Sequence, residues 1–203
     1  MASLNNLSEK TADLNPFLQF DIWYKEHLNS DISVPDAVSL GTADSEGQVS
    51  VRTVLLKGYD DKGFVFFTNY KSKKGIQLAS NPKVALLFYW PESARQIRIE
   101  GSVKKVSEEE SQSYFKSRPF ESQLSAWASD QSSKIPNRQY LEKQYDFFLK
   151  KFKDNPVEKP KNWGGYSIMP EWFEFWQEGK FRLHDRITYT KRKNKWIIER
   201  LAP

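Results

Sequence analysis

Apolar and polar residues alternate with a period of two along much of this chain, a pattern typical of β-strands with one buried face. Turn residues such as those at 44–47 separate the alternating stretches. The stretch 84–90 differs because it is continuously apolar, which predicts a strand buried on both faces. The predicted strands are 37–43, 49–57, 64–69, 84–90, 96–106, 163–176, 186–190 and 196–201.

Helical spacing of apolar residues interrupts this pattern in three places. Asn15-Pro16 is typical of a helix start, a second short helix is predicted at 72–79, and the region 107–153 is helical. Helices placed between two groups of antiparallel strands predict a mainly β, α+β fold, a β-barrel with peripheral helices. Residues 1–14 are polar and weakly patterned, so we expect a flexible segment followed by a single domain over 15–203.

Composition narrows the possible chemistry. The 203 residues are 38% hydrophobic and 15% aromatic, enough for a packed core. The chain has no cysteine and 2 histidines, which excludes disulfides and thiolate nucleophiles and argues against a metal centre. The net charge of +5 is spread along the chain and suits a small anionic ligand as well as nucleic acid. With no apolar run long enough to cross a bilayer, a cytoplasmic location is expected.

Motifs for a Rossmann dinucleotide site, a P-loop, a nucleophile elbow or a zinc-binding helix do not occur in the sequence. An enzyme with this sequence would therefore rely on a bound cofactor for its chemistry.

Three groups of residues could bind anions. Arg52 on a strand and Lys73-Lys74 at a helix start could clamp a phosphate, although solvated surface charges are the alternative interpretation. Arg118, with hydroxyls near a second helix start, also suits a phosphate, and a simple helix cap is its alternative. At strand spacing, Arg182, His184 and Arg186 would share one face and repel one another unless an anion lay among them.

In this order, these groups and the segments around them resemble the pyridoxine/pyridoxamine 5'-phosphate oxidase family from about residue 15 to the C-terminus. The matching segments are Arg-x-Val-Leu-Leu-Lys at 52–57, Phe-Phe-Thr-Asn at 66–69, Arg-Gln-x-Arg-x-Glu-Gly at 95–101, Tyr-Phe-x-Ser-Arg-Pro at 114–119, Gln-Ser-Ser at 131–133, Trp-Gly-Gly-Tyr at 163–166, Phe-Trp-Gln at 175–177, Arg-Leu-His-Asp-Arg at 182–186 and the terminal Glu-Arg-Leu-Ala-Pro.

The resemblance implies an FMN-binding split β-barrel that forms a homodimer, with each flavin between subunits. It implies oxidation of pyridoxamine and pyridoxine 5'-phosphate to pyridoxal 5'-phosphate, with O2 as the electron acceptor. The implied FMN contacts are Arg52, Thr53, Val54, Leu55, Leu56, Lys57, Phe67, Thr68, Lys73, Lys74, Gln96, Gln131, Ser132, Trp176 and Arg186. The implied substrate contacts are Lys57, Tyr114, Arg118, Ser122, Arg182, Leu183 and His184, of which Arg182 and His184 are the catalytic candidates beside the reacting carbon.

The sequence departs from the family pattern in places. Phe67 and Lys73 stand where a tyrosine and an arginine are common, and residues 1–14 contain neither the Arg nor the Tyr of a family segment that folds over the substrate. Three alternatives stay open: a related split-barrel oxidase acting on a phenazine precursor, a non-catalytic flavin or pyridoxal phosphate binder, and a nucleic-acid-binding barrel. The basic stretch 191–195 favours the last, but it also suits a solvated hairpin turn.

Overall fold

The computed structural model describes residues 7–29, 33–193 and 195–203. Within these ranges the chain forms one antiparallel sheet of nine strands, together with five α-helices. The strands are β1 (Ala37–Ala43), β2 (Val49–Leu55), β3 (Gly58–Asp60), β4 (Gly63–Asn69), β5 (Lys83–Trp90), β6 (Arg95–Lys105), β7 (Trp163–Gln177), β8 (Asp185–Arg192) and β9 (Lys195–Arg200). The helices are α1 (Pro16–Leu28), α2 (Lys73–Ser80), α3 (Glu108–Ser117), α4 (Phe120–Ala128) and α5 (Arg138–Lys151).

The sheet runs in the order β2-β1-β5-β6-β7-β4-β3, and the hairpin β8-β9 extends it from β7. The first half of β7 pairs with β4 and its second half pairs with β8, so this long strand connects two regions of the sheet. The sheet curls until β2 contacts β4. The mainly β split-barrel fold with peripheral helices is thus confirmed, with one short strand, β3, that the pattern did not predict.

Helix α1 fills the inside of the curled sheet. The side chain of Asn15 caps it by accepting a hydrogen bond from the backbone N–H of Phe17 at 3.0 Å. Phe20 is fully buried, and its ring contacts those of Phe64 and Phe88 at centroid distances of 4.8 and 5.1 Å. Burial of these aromatic side chains accounts for much of the hydrophobic core.

On the single chain, the interpretation of 84–90 as a strand buried on both faces is wrong. In β5 buried and exposed residues alternate, and Leu87 and Tyr89 are 37% and 63% exposed. Phe88 and Trp90 point inward against Phe20, because α1 covers one face of the strand. The outward face of β5 is therefore apolar and uncovered on the single chain.

The helical region 107–153 resolves into α3, α4 and α5, which enclose a second small core. The buried members of that core are Phe115, Leu124, Phe152, Val157 and Trp163. Because Trp163 begins β7, this core fixes the three helices to the sheet.

The segment before α1 contacts the sheet over its described part. Leu7 is 4% exposed and donates its N–H to the side chain of Gln177 at 3.2 Å, while the Tyr189 hydroxyl donates to the backbone oxygen of Asp13 at 2.7 Å. Residues 1–6 lie outside the described ranges, so the flexibility of 1–14 stays a prediction, as does the cytoplasmic location. None of the helices in the described ranges is long and apolar enough to cross a membrane.

Candidate functional site

A cleft of about 580 Å³ opens between β2, β4 and the helices α3 and α4. Its volume lies in the range of small-molecule sites. The cleft is lined by Thr53, Val54, Leu55, Lys57, Phe67, Thr68, Asn69, Lys74, Tyr114, Arg118, Pro119, Ser122, Ser125, Ala126, Ser129, Gln131 and Trp163. The strands and helices that were predicted to carry separate phosphate-binding groups therefore meet at one cavity.

Lys74 lines one end of this cleft and forms a cationic pair with Arg52, which lies near it but outside the lining. Lys74 Nζ donates to Thr68 Oγ1 at 3.2 Å and to Gln131 Oε1 at 3.1 Å. Arg52 Nη1 donates to Thr42 Oγ1 at 2.6 Å. Burial lowers the pKa of Lys74, and the charge of Arg52 lowers it further. Among the described residues neither cation has a carboxylate partner, so the pair is suited to hold an anion.

The position of Lys74 follows from the start of α2. Ser72 caps this helix by accepting a hydrogen bond from the N–H of Gly75 at 3.3 Å. A Cβ at Gly75 would lie 2.2 Å from the backbone oxygen of Tyr70, so this tight entry into the helix requires glycine. The first turn thus points Lys74 at the cleft together with the positive end of the helix dipole.

Arg118 lies at the junction of α3 and α4, on the other side of the cleft. Its Nη1 is buried without a hydrogen-bond partner among the described residues, and burial lowers its pKa. The guanidinium lies over the ring of Trp163. Phe67 stacks on Tyr114 at a centroid distance of 4.0 Å and on Trp163 at 5.5 Å. An unpaired guanidinium on this aromatic platform presents a second anion-binding position, with Ser122 also in the lining.

Lys57 also lines the cleft, but its charge is compensated. Lys57 Nζ forms an ion pair with Asp36 Oδ2 at 2.5 Å, and both side chains are about one-quarter exposed. The pair therefore adds a positioned hydrogen-bond donor to the cleft with little net charge.

A second group of predicted site residues lies away from the cleft. Gln96 on β6, Trp176 on β7 and Arg186 on β8 are direct neighbours across the sheet. Arg186 Nε pairs at 2.5 Å with the buried carboxylate of Glu174, and this hydrogen bond raises its pKa. The ring of His184 lies on that of Trp176 at a centroid distance of 4.7 Å.

The predicted strand spacing of Arg182, His184 and Arg186 is wrong. Phe181 and Arg182 have φ values of 59° and 63° and form a turn, and β8 begins only at Asp185. The expected mutual repulsion is also relieved, because Glu174 neutralises Arg186. Arg182 and Leu183 are exposed at the tip of this turn.

The two groups occupy different places on one chain. Two strands, β1 and β5, separate Leu55 on the cleft from Gln96, which corresponds to about 14 Å across the sheet. Trp176 is one strand further, at about 19 Å. The lining of the cleft includes none of the second group.

Several predicted residues do not line the cleft. Leu56 is buried in the core, Lys73 is exposed at the first position of α2, and Ser132 is exposed with a φ of 73°. Arg52 is also absent from the lining, and its guanidinium donates to the side chains of Thr42 and Gln77. Sequence reasoning also missed residues that matter to the geometry. The sequence indicated Trp163 only as part of a family motif. It did not predict the ion pairs of Asp36 and Glu174, because their partners are distant in sequence.

Comparison with known proteins relates this geometry to one family. Residues 24–146 match the family model described as pyridoxamine 5'-phosphate oxidase, and residues 163–203 match the pyridoxine 5'-phosphate oxidase C-terminal dimerisation region. A pyridoxine/pyridoxamine 5'-phosphate oxidase of Gloeothece citriformis is 48% identical over 99% of this chain and 94% of its own length. One of Burkholderia thailandensis is 50% identical over 98% and 94%.

Two solved structures share the fold. PhzG from Burkholderia lata, in complex with tetrahydrophenazine-1-carboxylic acid, superimposes with a TM-score of 0.92 at 27% identity, covering 100% of both chains. A pyridoxamine 5'-phosphate oxidase-related, FMN-binding protein from Nostoc punctiforme gives a TM-score of 0.74 at 17% identity, covering 94% of this chain and 100% of its own.

Proposed function

Because this chain belongs to the pyridoxamine 5'-phosphate oxidase family, we propose that it binds FMN and oxidises pyridoxamine and pyridoxine 5'-phosphate to pyridoxal 5'-phosphate, with O2 as the final acceptor. The observation that carries this proposal is the charge pattern of the cleft. Arg52 with Lys74 at one position and Arg118 at another have no carboxylate partner among the described residues. Two anion positions in one cleft suit a cofactor phosphate and a substrate phosphate.

The residues present fit FMN. Arg52 and Lys74 would hold its phosphate, and Thr68 and Gln131 fix the direction of the Lys74 ammonium. Thr53, Val54 and Leu55 of β2 supply a wall along which the rest of the cofactor could lie.

Arg118, together with the hydroxyls of Tyr114 and Ser122, offers an anion-binding position that suits a phosphorylated substrate. The ligand of PhzG is a phenazine carboxylic acid. Here Tyr114, Arg118 and Ser122 lie together on the cleft wall, and the guanidinium of Arg118 offers charge-assisted hydrogen bonds to a phosphate. This supports a phosphorylated substrate.

A second copy of the chain would complete the site. Val49, Val51, Thr53 and Leu55 of β2 and Leu87 and Tyr89 of β5 form an exposed, largely apolar outer face. At one edge of this outer face the cleft opens, and at the other Gln96 lies opposite Tyr89. In a twofold dimer a surface meets its own copy, so the Gln96 group of one chain can approach the cleft of its partner.

The substitution Val51→Asp tests this dimer. Val51 is 73% exposed on the single chain, so the carboxylate would not harm folding but would be buried unpaired between two copies. We expect wild type to sediment as two chains, and Val51→Asp to sediment as one and to bind FMN at least about tenfold more weakly. Phe147→Asp, at a 58% exposed site on α5, is the control and should stay dimeric. A dimeric Val51→Asp would refute this interface.

When bound, FMN would supply hydride acceptance from the substrate and reoxidation by O2 to give hydrogen peroxide, and for the amine substrate water would then hydrolyse the imine to the aldehyde and ammonia. The chain's own residues hold and orient the substrate: Arg118 binds its phosphate, while Arg182 and His184 position its reacting carbon. The guanidinium of Arg186 is protonated at any physiological pH and is oriented by Glu174, and it would donate a hydrogen bond to negative charge on the reduced cofactor.

Anaerobic reduction tests the proposal directly. The purified protein is loaded with FMN, pyridoxamine 5'-phosphate is added without oxygen, and the visible flavin absorption is followed. We expect bleaching, return of the colour when air is admitted, and formation of pyridoxal 5'-phosphate. Bleaching by neither this amine nor pyridoxine 5'-phosphate would refute the proposed substrate. Bleaching by a reduced phenazine carboxylic acid instead would assign the PhzG-like reaction.

A further inference from the structure

The backbone N–H of Gly179 contacts Nδ1 of His184 at 3.2 Å with hydrogen-bond geometry. A backbone N–H can only donate a hydrogen bond, so Nδ1 must be the ring nitrogen that carries no proton. In a neutral imidazole the proton then lies on Nε2. Nε2 has no partner within the described part of the chain, which leaves its N–H available to a ligand.

Gly179 holds this position because no other residue fits. A Cβ at Gly179 would lie 1.9 Å from the backbone oxygen of Leu183, and that turn is closed by the Leu183 N–H donating to the oxygen of Lys180 at 3.0 Å. The φ of Gly179 is −121°, which any residue can adopt, so close packing and not backbone conformation requires the glycine. Trp176 fixes the other side of the His184 ring.

We propose that Gly179 is a positioning residue that holds neutral His184 as its Nε2–H tautomer, so that His184 offers the substrate a hydrogen-bond donor and not a base. The tautomer follows from the geometry alone. The role of His184 as a hydrogen-bond donor to the substrate rests on the proposed function. A donor at Nε2 fits an oxygen or nitrogen lone pair of the substrate, and proton abstraction at the same atom would need the opposite tautomer.

Nitrogen-15 NMR of the histidine rings tests the tautomer. The chain has 2 histidines, so a sample labelled at the ring nitrogens gives two ring systems, and those of His184 are the set lost in His184→Gln. The spectrum is recorded about two pH units above the pKa of an ordinary histidine, near pH 8.5. We expect His184 to show a protonated Nε2 and an unprotonated Nδ1. The Nδ1–H form, or a mixture of the two, would overturn the proposal.

Two variants separate this effect from general loss of structure. In Gly179→Ala the new methyl group displaces the turn, and we expect the two tautomers of His184 to mix. Glu178→Ala, at an exposed site in the same turn, should keep the wild-type spectrum. An unchanged tautomer in a folded Gly179→Ala would assign the selection to another contact and refute the role of Gly179. Should Gly179→Ala not fold, the wild-type spectrum still decides the tautomer.

The NMR result does not depend on oxidase activity. An Nε2–H tautomer in a protein that fails to bleach would refute the proposed function and leave the positioning intact. Full oxidase activity with an Nδ1–H tautomer would support the proposed function and refute the positioning of His184 by Gly179.

Discussion

The guanidinium carbon of Arg118 lies 4.8 Å from the ring centroid of Trp163. This contact holds the planar cation at the cleft wall while its Nη1 remains unpaired. A hydrogen bond to a charged group contributes about 1.5–3 kcal/mol. Arg118→Ala should therefore raise KM for pyridoxamine 5'-phosphate about 10- to 100-fold with a small change in kcat, as measured by steady-state kinetics.

Arg118→Lys provides a matched comparison, because it keeps the charge and loses the flat group that stacks on the indole. Its KM should lie between those of wild type and Arg118→Ala. Equal KM values in wild type and Arg118→Ala would contradict the phosphate role.

Lys74 should make FMN binding depend on pH. Burial and the nearby Arg52 lower the pKa of Lys74 in the free protein, and a bound phosphate favours the charged ammonium and raises that pKa again. The affinity for FMN should thus be constant below the lowered pKa and fall as pH rises through it. Fluorescence titration of FMN at alkaline pH measures this dependence.

Lys74→Arg is the control, since its guanidinium stays protonated to a pH above about 12. Effects of pH on FMN itself are the same in both proteins. An equal pH dependence in wild type and Lys74→Arg would exclude Lys74 as the titrating group.

His184→Gln should retain more activity than His184→Ala. The glutamine amide can place an N–H where Nε2–H lies in the histidine, but it cannot accept a proton. We expect His184→Gln to reduce flavin within about tenfold of the wild-type rate, whereas a general base at this position would lose about 10²- to 10⁴-fold in both variants. FMN should remain bound in each, because Arg52 and Lys74, the residues proposed to hold its phosphate, are unchanged. Stopped-flow bleaching measures the rates.

Sequence patterns predicted most strands to within one or two residues, because alternation survives wherever one face of a strand is buried. They failed at β5, where the outward Leu87 and Tyr89 are apolar, so the sequence lacks the polar residues that would reveal an uncovered face. They failed again at the turn of Phe181 and Arg182, whose positive φ values are unusual for bulky residues.

The separation of the predicted site residues into two groups could not be predicted from the sequence either. It depends on how far the sheet curls between β2 and β7, which is set by long-range packing. The ion pair of Glu174 with Arg186 depends on the register of β7 with β8 in the same way.

Buried His27 should make stability depend on pH. Its ring stacks on Trp90 at a centroid distance of 4.5 Å, and burial lowers its pKa. As pH falls below about 6.5, the unfolded chain takes up a proton before the folded one does, so the free energy of unfolding should decrease. Urea unfolding at pH values of about 7.5 and 5.5 measures this change.

His27→Phe keeps an aromatic ring at this position and removes the titrating group. Its loss of stability between the two pH values should be smaller than that of wild type, whatever its stability at neutral pH. A loss of equal size in both proteins would assign the pH dependence to other groups.

The strand β7 begins at the cleft with Trp163, and near its other end it carries Trp176 of the second group. In the proposed dimer each reaction centre therefore takes one end of this strand from each chain. Two mutant alleles, one carrying Arg118→Ala and the other Arg182→Ala, would then complement each other in the same cell. Every mixed dimer has one centre with both defects and one with neither. Random pairing makes about half of the dimers mixed, so about a quarter of all centres would be intact and about a quarter of the wild-type activity would return.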